Sequence, residues 1–437
     1  MSKIRIALAS LALAAALTLP AGVQAADRPD PAAVHQAWYR LVLELVRHTP
    51  TYSPPVASRA FAYLGVTTYE IEAAETGMLV SLAGQLNGLT AVPAAPANPM
   101  DPALVLHAAL SESVLNFFGN TGPTGQRAIQ ITRDQMTAQL TEGIAPEVAQ
   151  RSIDYGKAVA DHILAWSSTD GGATIENLGF PMTYTLGATP ASWVPTSKVA
   201  LQQAPLLPYW GTVRTFAMPD GKACPLPPPP AYSEDPGSEF YAQAMEVHDI
   251  VANLTDDQRA VARFWSDDPM LSSTPPGHWI TIALQIMDRE NAPVDRRAEV
   301  LALLGVAVAD SFIGCWQTKF EYDLLRPSTY IRRVIDPNWE PVLNTPPFPE
   351  YPSGHSTQSA AAAAVLTALF GENFAFEDTT HEDDGLPPRS YPSFAAATEE
   401  AALSRLYGGI HFRAAIDRGL DQGACIGAHA AALKTRP

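Results

Sequence analysis

The chain has 437 residues, of which 47% are hydrophobic and 17% are charged, and it contains 39 Pro, 28 Gly and 3 Cys. This composition excludes a disordered chain, a collagen-like chain and a small protein held together by disulfides. Asp and Glu outnumber Lys and Arg by 45 to 28, and the formal charge of -17 argues against a broad electrostatic surface for nucleic acid or an anionic membrane.

The first 25 residues are organised like a secretory signal peptide. Lys3 and Arg5 precede an apolar run at 6–19, and Val-Gln-Ala at 23–25 forms a small-residue cleavage site. The run is shorter than the about 20 residues that span a bilayer, which argues against the alternative of a retained membrane anchor. We therefore expect cleavage after Ala25 and a soluble protein in a bacterial periplasm or exterior.

Beyond residue 30 the hydrophobic pattern is almost entirely helical, with apolar residues at i, i+3, i+4 and i+7. In an N-terminal region, 26–167, helices are predicted at 35–47, 56–74, 102–118, 125–140 and 146–166. After a Pro- and aromatic-rich connection, 168–236, helices are predicted in a C-terminal region, 237–437, at 238–251, 255–265, 279–287, 295–325, 355–370, 393–406 and 411–433.

These patterns predict an all-α fold of one or more helical bundles with a long irregular connection. The aromatic residues of the connection favour a segment packed on the surface over a free linker. No segment after the signal peptide is predicted to span a membrane.

Three cysteines, Cys224, Cys315 and Cys425, allow at most one intramolecular disulfide and have no metal-site spacing. Cys315 and Cys425 both lie in apolar, predicted helical segments. We therefore expect both to be buried and unpaired, with a bridge between them as the alternative.

The first group of chemically active residues is Lys319 and Arg326. They are seven residues apart, about two turns of the predicted helix, and therefore on one face. Such a pair can bind one tetrahedral oxyanion, with Lys as a point charge and Arg as a fork. Alone, the pair is more typical of a solvated basic face.

Two further groups carry a histidine each. Ser353, Gly354 and His355 open a predicted helix, where free N–H groups favour an anion, Ser adds a hydroxyl and His titrates near neutrality. Arg405 and His411 flank a turn that contains glycine. Each group alone is typical of a helix cap or a surface loop.

These residues form three blocks, which read Lys-x6-Arg-Pro, Pro-Ser-Gly-His and Ser-Arg-x5-His. Together the blocks resemble the signature of the superfamily that joins vanadium-dependent haloperoxidases to type-2 phosphatidic acid phosphatases and bacterial acid phosphatases. All three blocks match residue by residue. Similarity to soluble bacterial vanadium chloroperoxidase-like proteins extends to 55–60, 262–265, 274–279 and 345–351. The resemblance implies a haloperoxidase or acid-phosphatase-like helical fold over most of the mature chain.

The resemblance also implies how the site would bind its oxyanion. Lys319, Arg326 and Arg405 would hold the oxygens of vanadate or phosphate. The hydroxyl of Ser353 and the backbone N–H of Gly354 would add hydrogen bonds.

The two histidines would divide the chemistry. His411 would be the axial ligand to vanadium, or the nucleophile that attacks phosphorus, and must be neutral to act. His355 would be the acid–base group. For a haloperoxidase the resemblance implies hydrogen peroxide and halide as substrates, vanadate as a Lewis acid, and Lys319 as the group that polarises peroxide.

Positions beside the three blocks can be carried over from the same relatives. Trp316 and Phe348 match aromatic residues that line the halide pocket, although core packing explains them equally well. Asp268 matches a carboxylate that pairs with the third-block arginine. Asp267 is the adjacent alternative, and a solvated acidic turn explains both.

One position departs from the wider family, which often has Asp four residues after the last histidine to orient the imidazole. Here that position is Ala415. Asp417 lies six residues after His411, about 240° round an ideal helix, and cannot replace it in the same geometry. We expect a backbone carbonyl to orient the ring.

Three functions remain open. The leading one is an exported vanadate-dependent haloperoxidase. The runner-up is a soluble non-specific acid phosphatase with a phospho-histidine intermediate, because vanadate and phosphate share a tetrahedral shape. The third is a non-catalytic oxyanion-binding relative, for which Ala415 is the only argument. The sequence does not indicate the halide, the organic substrate or the oligomeric state.

Overall fold

The computed structural model describes residues 28–197, 204–268 and 270–437. This part of the chain contains fourteen α-helices, and its sheet structure is limited to one pair of short strands and an isolated bridge, which confirms the predicted all-α class. The predicted signal peptide and its cleavage site lie outside the described residues.

The first five helices lie close to their predicted positions, whereas the sixth, at Gly172–Leu178, forms in the connection that was predicted to be irregular. Each of the first five has proline in its first turn, where the helical φ is favoured and the missing N–H is not needed. Asp30 and Asp101 cap the first and third by accepting backbone N–H groups. The helices are α1 (Pro31–Arg47), α2 (Pro54–Thr76), α3 (Pro102–Phe117), α4 (Gly122–Thr141), α5 (Pro146–Ser167) and α6 (Gly172–Leu178).

The C-terminal region adds eight helices and a hairpin. The helices are α7 (Glu239–Ala252), α8 (Asp256–Phe264), α9 (Thr274–Arg289), α10 (Val294–Tyr322), α11 (Pro327–Val334), α12 (Gly354–Phe370), α13 (Phe394–Tyr407) and α14 (Arg413–Ala431). Strands β1 (Phe376–Asp378) and β2 (Arg389–Tyr391) pair antiparallel. The hairpin was not predicted because strands of three residues are too short to show an alternating pattern.

The longest helix, α10, ends earlier than predicted. It stops at Tyr322, and Asp323 adopts a left-handed conformation with φ of 46°. The connection supplies competing hydrogen bonds at this point. The N–H of Trp193 donates to the carbonyl of Asp323, and the N–H of Leu325 donates to that of Ala191, both at 2.8 Å. These tertiary hydrogen bonds hold the chain out of the helix.

This ending changes the relation between Lys319 and Arg326. The expectation that they share one helix face is wrong, because Lys319 is in the last turn of α10 and Arg326 is the N-cap residue of α11. Both side chains still reach one place, since each donates to backbone carbonyls of the segment 348–352.

α10 lies at the centre of the core. By length and composition alone it could cross a membrane, contrary to our expectation, but its most apolar stretch is entirely buried in the protein. A Cβ on Gly65 of α2 would lie 2.8 Å from the carbonyl oxygen of Leu301, and one on Gly305 would lie 3.0 Å from Cα of Ala62. Since these distances leave no room for a side chain, α2 and α10 pack backbone to backbone.

Part of the connection packs against α10. Trp210 and Phe216 are buried, whereas Tyr209 is exposed. The buried carboxylate of Asp310 accepts hydrogen bonds of 2.6 to 2.8 Å from three successive N–H groups at 216–218. This part of the connection is therefore fixed to the core helix.

The cysteine pairing differs from the expected one. Cys224 and Cys425 form a disulfide, and Cys315 is buried and unpaired. The prediction is confirmed for Cys315 and wrong for Cys425, which is exposed on the outer face of α14 while its neighbour Ile426 is buried. The apolar composition of the helix did not show which face Cys425 occupies.

Loss of this disulfide should destabilise the fold. It joins residues 201 positions apart, and removing a native disulfide typically costs about 2–5 kcal/mol, in part because the cross-link restricts the unfolded chain. The double variant Cys224→Ser/Cys425→Ser should lose free energy of unfolding of that size in denaturant titrations. The wild-type protein in reductant should match it, and equal stability of the oxidised and reduced proteins would contradict the prediction.

Candidate active site

Residues from the three sequence blocks meet at one cavity of about 370 Å³. Gly354 and His355 line it from the start of α12, Arg405 from the last turn of α13, and His411 from the turn before α14. Arg326 reaches the same place from the start of α11, with one guanidinium nitrogen 3.0 Å from His411. Segments distant in the sequence therefore form a single site.

His411 is held through both ring nitrogens. Nδ1 lies 2.9 Å from Oε1 of Glu350, and Nε2 lies 3.0 Å from Nη1 of Arg326. Because a guanidinium only donates, Nε2 accepts, and the proton is assigned to Nδ1, which donates it to Glu350. Burial and the charges of Arg326 and Lys319 lower the pKa of His411 well below its usual value. The imidazole is therefore neutral, with its lone pair on Nε2.

Glu350 orients His411 in place of the expected backbone carbonyl, so that expectation is wrong. Oε1 of Glu350 also accepts the N–H of Phe412 at 2.8 Å, and the side chain is fully buried. Ala415 instead accepts the N–H of Ser353 through its own carbonyl at 2.9 Å. The orienting group lies 61 positions from the histidine, where no helical spacing could indicate it.

Replacing the carboxylate of Glu350 should weaken oxyanion binding. Burial raises the pKa of Glu350 to about 7, although the charge of Arg326 opposes the rise. The two hydrogen bonds that its carboxylate accepts, from His411 and Phe412, favour the ionised form. Glu350→Gln keeps an acceptor oxygen but removes the charge. We expect a 10- to 100-fold loss of vanadate affinity, the size typical of groups that orient a metal ligand.

A vanadate titration measures this effect, with Glu377→Gln, at an exposed position, as the matched control. Wild-type affinity in Glu350→Gln would show that the charge does not support His411.

Lys319 is buried beneath the site, with its ammonium group surrounded by carbonyls. Nζ donates to the carbonyls of Pro349 at 2.9 Å, Glu350 at 3.0 Å and Pro352. Burial lowers the pKa of Lys319 to about 7, but three acceptors match the three hydrogens of an ammonium and favour the charged form. Lys319 must therefore break one of these three hydrogen bonds before its ammonium group can donate to a ligand.

Arg326 and Arg405 each have a buried N–H group with no acceptor in the described part of the chain. Arg326 donates through Nε to the carbonyl of Phe348 and through Nη1 to that of Ile410, both at 2.9 Å, and Arg405 donates through Nη1 to that of Trp265. Nη2 of Arg326 and Nε of Arg405 are buried and have no acceptor among the described residues. Buried donors without acceptors are rare, and guanidinium donors suit an oxyanion.

The N-terminus of α12 adds further donors. The hydroxyl of Ser353 accepts the N–H of Ser356 at 3.3 Å and can donate its own hydrogen. N–H groups of the first turn, including that of Gly354, have no carbonyl within the helix to bind, and the helix dipole favours an anion. A Cβ on Gly354 would lie 3.9 Å from Phe312 and Trp316, which line the cavity, so glycine leaves that space free.

His355 lies in the first turn of α12. Its Nε2 is buried and 3.9 Å from Oδ2 of Asp267. Burial and the charge of Arg405 lower the pKa of His355 well below its usual value. A neutral imidazole in this position can accept a proton and return it.

Trp316 and Phe348 form an aromatic wall of the cavity. Their ring centroids are 4.8 Å apart. The ring of Phe348 also lies 5.0 Å from the guanidinium carbon of Arg326 and 5.3 Å from Nζ of Lys319. Both rings border the site and pack against its cations.

The two adjacent carboxylates have different surroundings. Both line the cavity. Burial raises the pKa of the Asp268 carboxyl, and the nearby charge of Arg405 opposes the rise. Asp267 is buried, and its carboxylate faces His278 at 3.0 Å and His381 at 3.5 Å. The sequence alone does not reveal this cluster, because His381 lies more than 100 residues from both Asp267 and His278.

Comparison with known proteins extends the likeness beyond the three blocks. Residues 299–337 and 333–437 match a family model described as the second helical-bundle domain of VCPO. Vanadium chloroperoxidase of Curvularia inaequalis is 33% identical over 138 residues, which cover 26% of this chain and 23% of that protein. The chain thus matches about a quarter of the length of that curated relative.

Two solved structures align over almost the whole chain. A bacterial vanadium-dependent iodoperoxidase has 39% identity and a TM-score of 0.84, over 91% of this chain and 95% of that one. A holo-type bacterial vanadium-dependent chloroperoxidase has 17% identity and a TM-score of 0.69, over 92% of this chain and 95% of that one, and shares the fold.

Proposed function

The chain belongs to the vanadium-dependent haloperoxidases, a family of enzymes, and we propose that it oxidises halide with hydrogen peroxide to hypohalous acid. The proposal rests on the protonation and the orientation of the His411 ring. Glu350 fixes its proton on Nδ1, and the lone pair on Nε2 lies beside Arg326. A histidine must be neutral and oriented in this way to bind a metal.

The residues at the cavity fit vanadate. The unpaired N–H groups of Arg326 and Arg405 would bind its oxygens, with the hydroxyl of Ser353 and the N–H of Gly354 completing the shell. Nε2 of His411 would bind vanadium. When bound, vanadate supplies a Lewis acid that activates hydrogen peroxide toward halide without changing its oxidation state.

His355 would manage the proton of the reaction. Halide, hydrogen peroxide and one proton yield hypohalous acid and water, so each turnover consumes a proton. The imidazole of His355 lines the cavity and is neutral before reaction. It can hold a proton at Nε2 and donate it within the cavity.

Iodide is the halide that we propose for this enzyme. The iodoperoxidase structure shares 39% identity with nearly the whole chain. Trp316 and Phe348 give the cavity an aromatic wall that suits a large, polarisable anion. Iodide is also more easily oxidised than bromide or chloride.

Assays of the vanadate-loaded protein test this proposal. Peroxide-dependent oxidation should be fastest with iodide, weaker with bromide and weakest with chloride, and it should disappear when vanadate is removed. Hydrolysis of a phosphate monoester is measured in parallel, because phosphate shares the shape of vanadate. Robust hydrolysis without halide oxidation would overturn the proposal in favour of a phosphatase, and loss of both activities would favour an oxyanion-binding protein.

Export is the remaining part of the proposal. It is supported by the signal-peptide pattern of residues 1–25 and by the Cys224–Cys425 disulfide, since disulfides persist in oxidising compartments. Mass spectrometry of the protein from a bacterial periplasm should show an N-terminus at Ala26. An intact N-terminus in the cytoplasm would contradict it.

A further inference from the structure

A second group of ionisable side chains lies next to the active-site cavity. Asp267, His278 and His381 are all buried, and one ligand atom from each lies within 4.8 Å of the others. The geometry points to a binding site for one divalent first-row transition metal ion, of which Zn²⁺ is the probe. The inference is independent of the proposed haloperoxidase activity, because it concerns different ligands.

The type and number of the ligands suit such an ion. Two imidazole nitrogens and one carboxylate oxygen are borderline ligands that bind Zn²⁺ with a fourth position left for water. In a tetrahedral zinc site, neighbouring ligand atoms lie about 3.3 Å apart. Here Nδ1 of His278 is 3.0 Å from Oδ1 of Asp267, and Nε2 of His381 is 3.5 Å from the same oxygen.

Outer carboxylates orient both histidines toward this place. Nε2 of His278 lies 2.8 Å from Oδ2 of Asp378, and Nδ1 of His381 lies 3.0 Å from Oδ2 of Asp384. When these far nitrogens donate to carboxylates, the near nitrogens present their lone pairs to Asp267. This carboxylate–histidine–metal arrangement recurs in protein metal sites.

The geometry at His381 favours a metal ion over a proton as the cation of the cluster. A proton shared by His278 with Asp267 and Asp378 would satisfy that ring on both sides. It would leave Nε2 of His381 buried and 3.5 Å from Oδ1 of Asp267, close enough for an ion pair but without a well-aligned hydrogen bond among the described residues. A metal ion uses this nitrogen, which is otherwise costly to bury.

The site has an entry path that does not pass through the active-site cavity. A second cavity of about 410 Å³ is lined by His381, Asp384 and Thr380. The side chain of Asp384 is 25% exposed, whereas that of His381 is 6% exposed. This cavity therefore gives an ion access to His381 from outside, past Asp384, whose other carboxylate oxygen pairs with Arg47.

The ion would also support the active site. Oδ2 of Asp267 lies 3.9 Å from Nε2 of His355. A metal bound to Asp267 would fix this carboxylate beside the acid–base histidine.

Zinc binding by the full chain tests the inference. The protein is treated with chelator, desalted, supplied with Zn²⁺ without vanadate, gel-filtered and analysed by mass spectrometry for metals. We expect about one zinc ion per chain in the wild type and in His429→Ala, which removes a more accessible histidine near the disulfide. His381→Ala should lose it. No stoichiometric zinc in the wild type, or undiminished zinc in His381→Ala, would overturn the inference.

A measurement on the wild type alone covers the case in which His381→Ala does not fold. Nδ1 of His278 lies 3.0 Å from Oδ1 of Asp267. In the absence of a metal ion a proton joins these two atoms, so zinc must displace it from Nδ1. Uptake in weakly buffered solution near pH 7 should release at least one proton per ion. Uptake without proton release would place the zinc elsewhere and refute the site.

Discussion

His411→Ala should abolish tight vanadate binding and, with it, halide oxidation. Nε2 of His411 is the neutral ring nitrogen that Glu350 orients beside Arg326. The other histidine of the cavity, His355, lies against Asp267 instead, so it cannot take over the role. Because this change removes the ligand itself, we expect the affinity to fall by more than the about 100-fold that loss of an orienting group can cause.

Titration of the purified variant with vanadate measures the affinity, and circular dichroism checks that the helices remain. His48→Ala is the matched control, since His48 is exposed at the end of α1. Affinity close to that of the wild type in His411→Ala would mean that vanadate binds elsewhere.

His355→Ala should lower kcat about 10²- to 10⁴-fold, the usual contribution of a general acid–base group. Vanadate affinity should fall much less, because the guanidinium donors and His411 remain. Steady-state kinetics with saturating vanadate, iodide and peroxide gives kcat, and a separate titration gives the affinity. Added imidazole should restore part of the rate by supplying the missing proton carrier.

Comparing the loss of kcat with the loss of vanadate affinity in His355→Ala tests the role of His355. A variant that loses affinity and rate in proportion would make His355 an oxyanion-binding residue. A variant with unchanged kcat would show that solvent supplies the proton directly.

Much of the helical fold could be predicted from the sequence, because the spacing of apolar residues is a local property of each helix. The segment 102–118, for example, forms α3 at Pro102–Phe117. The end of α10 could not be predicted, since it depends on hydrogen bonds with a distant segment, where Trp193 donates and the carbonyl of Ala191 accepts. Cys425 was misassigned for a similar reason, as its partner Cys224 lies in an irregular segment without a periodic pattern.

At the site, the three blocks indicated which side chains meet, because their residue types together suit one oxyanion. They did not indicate what holds those side chains. Glu350 stands in a Pro-rich segment, where an acidic residue usually suggests a solvated turn, and folding alone brings it to Nδ1 of His411. The cluster of Asp267, His278 and His381 likewise depends on the packing of separate segments.

The contact between α2 and α10 limits how this protein can change in evolution. A Cβ added at Gly65 or Gly305 would lie 2.8 to 3.0 Å from backbone atoms of the facing helix, so substitution of either glycine would push the two helices apart. The segment that matches the family model begins at residue 299, inside α10, yet a fragment that starts there lacks the partner of its most buried helix. The C-terminal segment therefore depends on α2 from the N-terminal region to bury α10, and replacing either glycine should weaken that dependence on both sides of the contact.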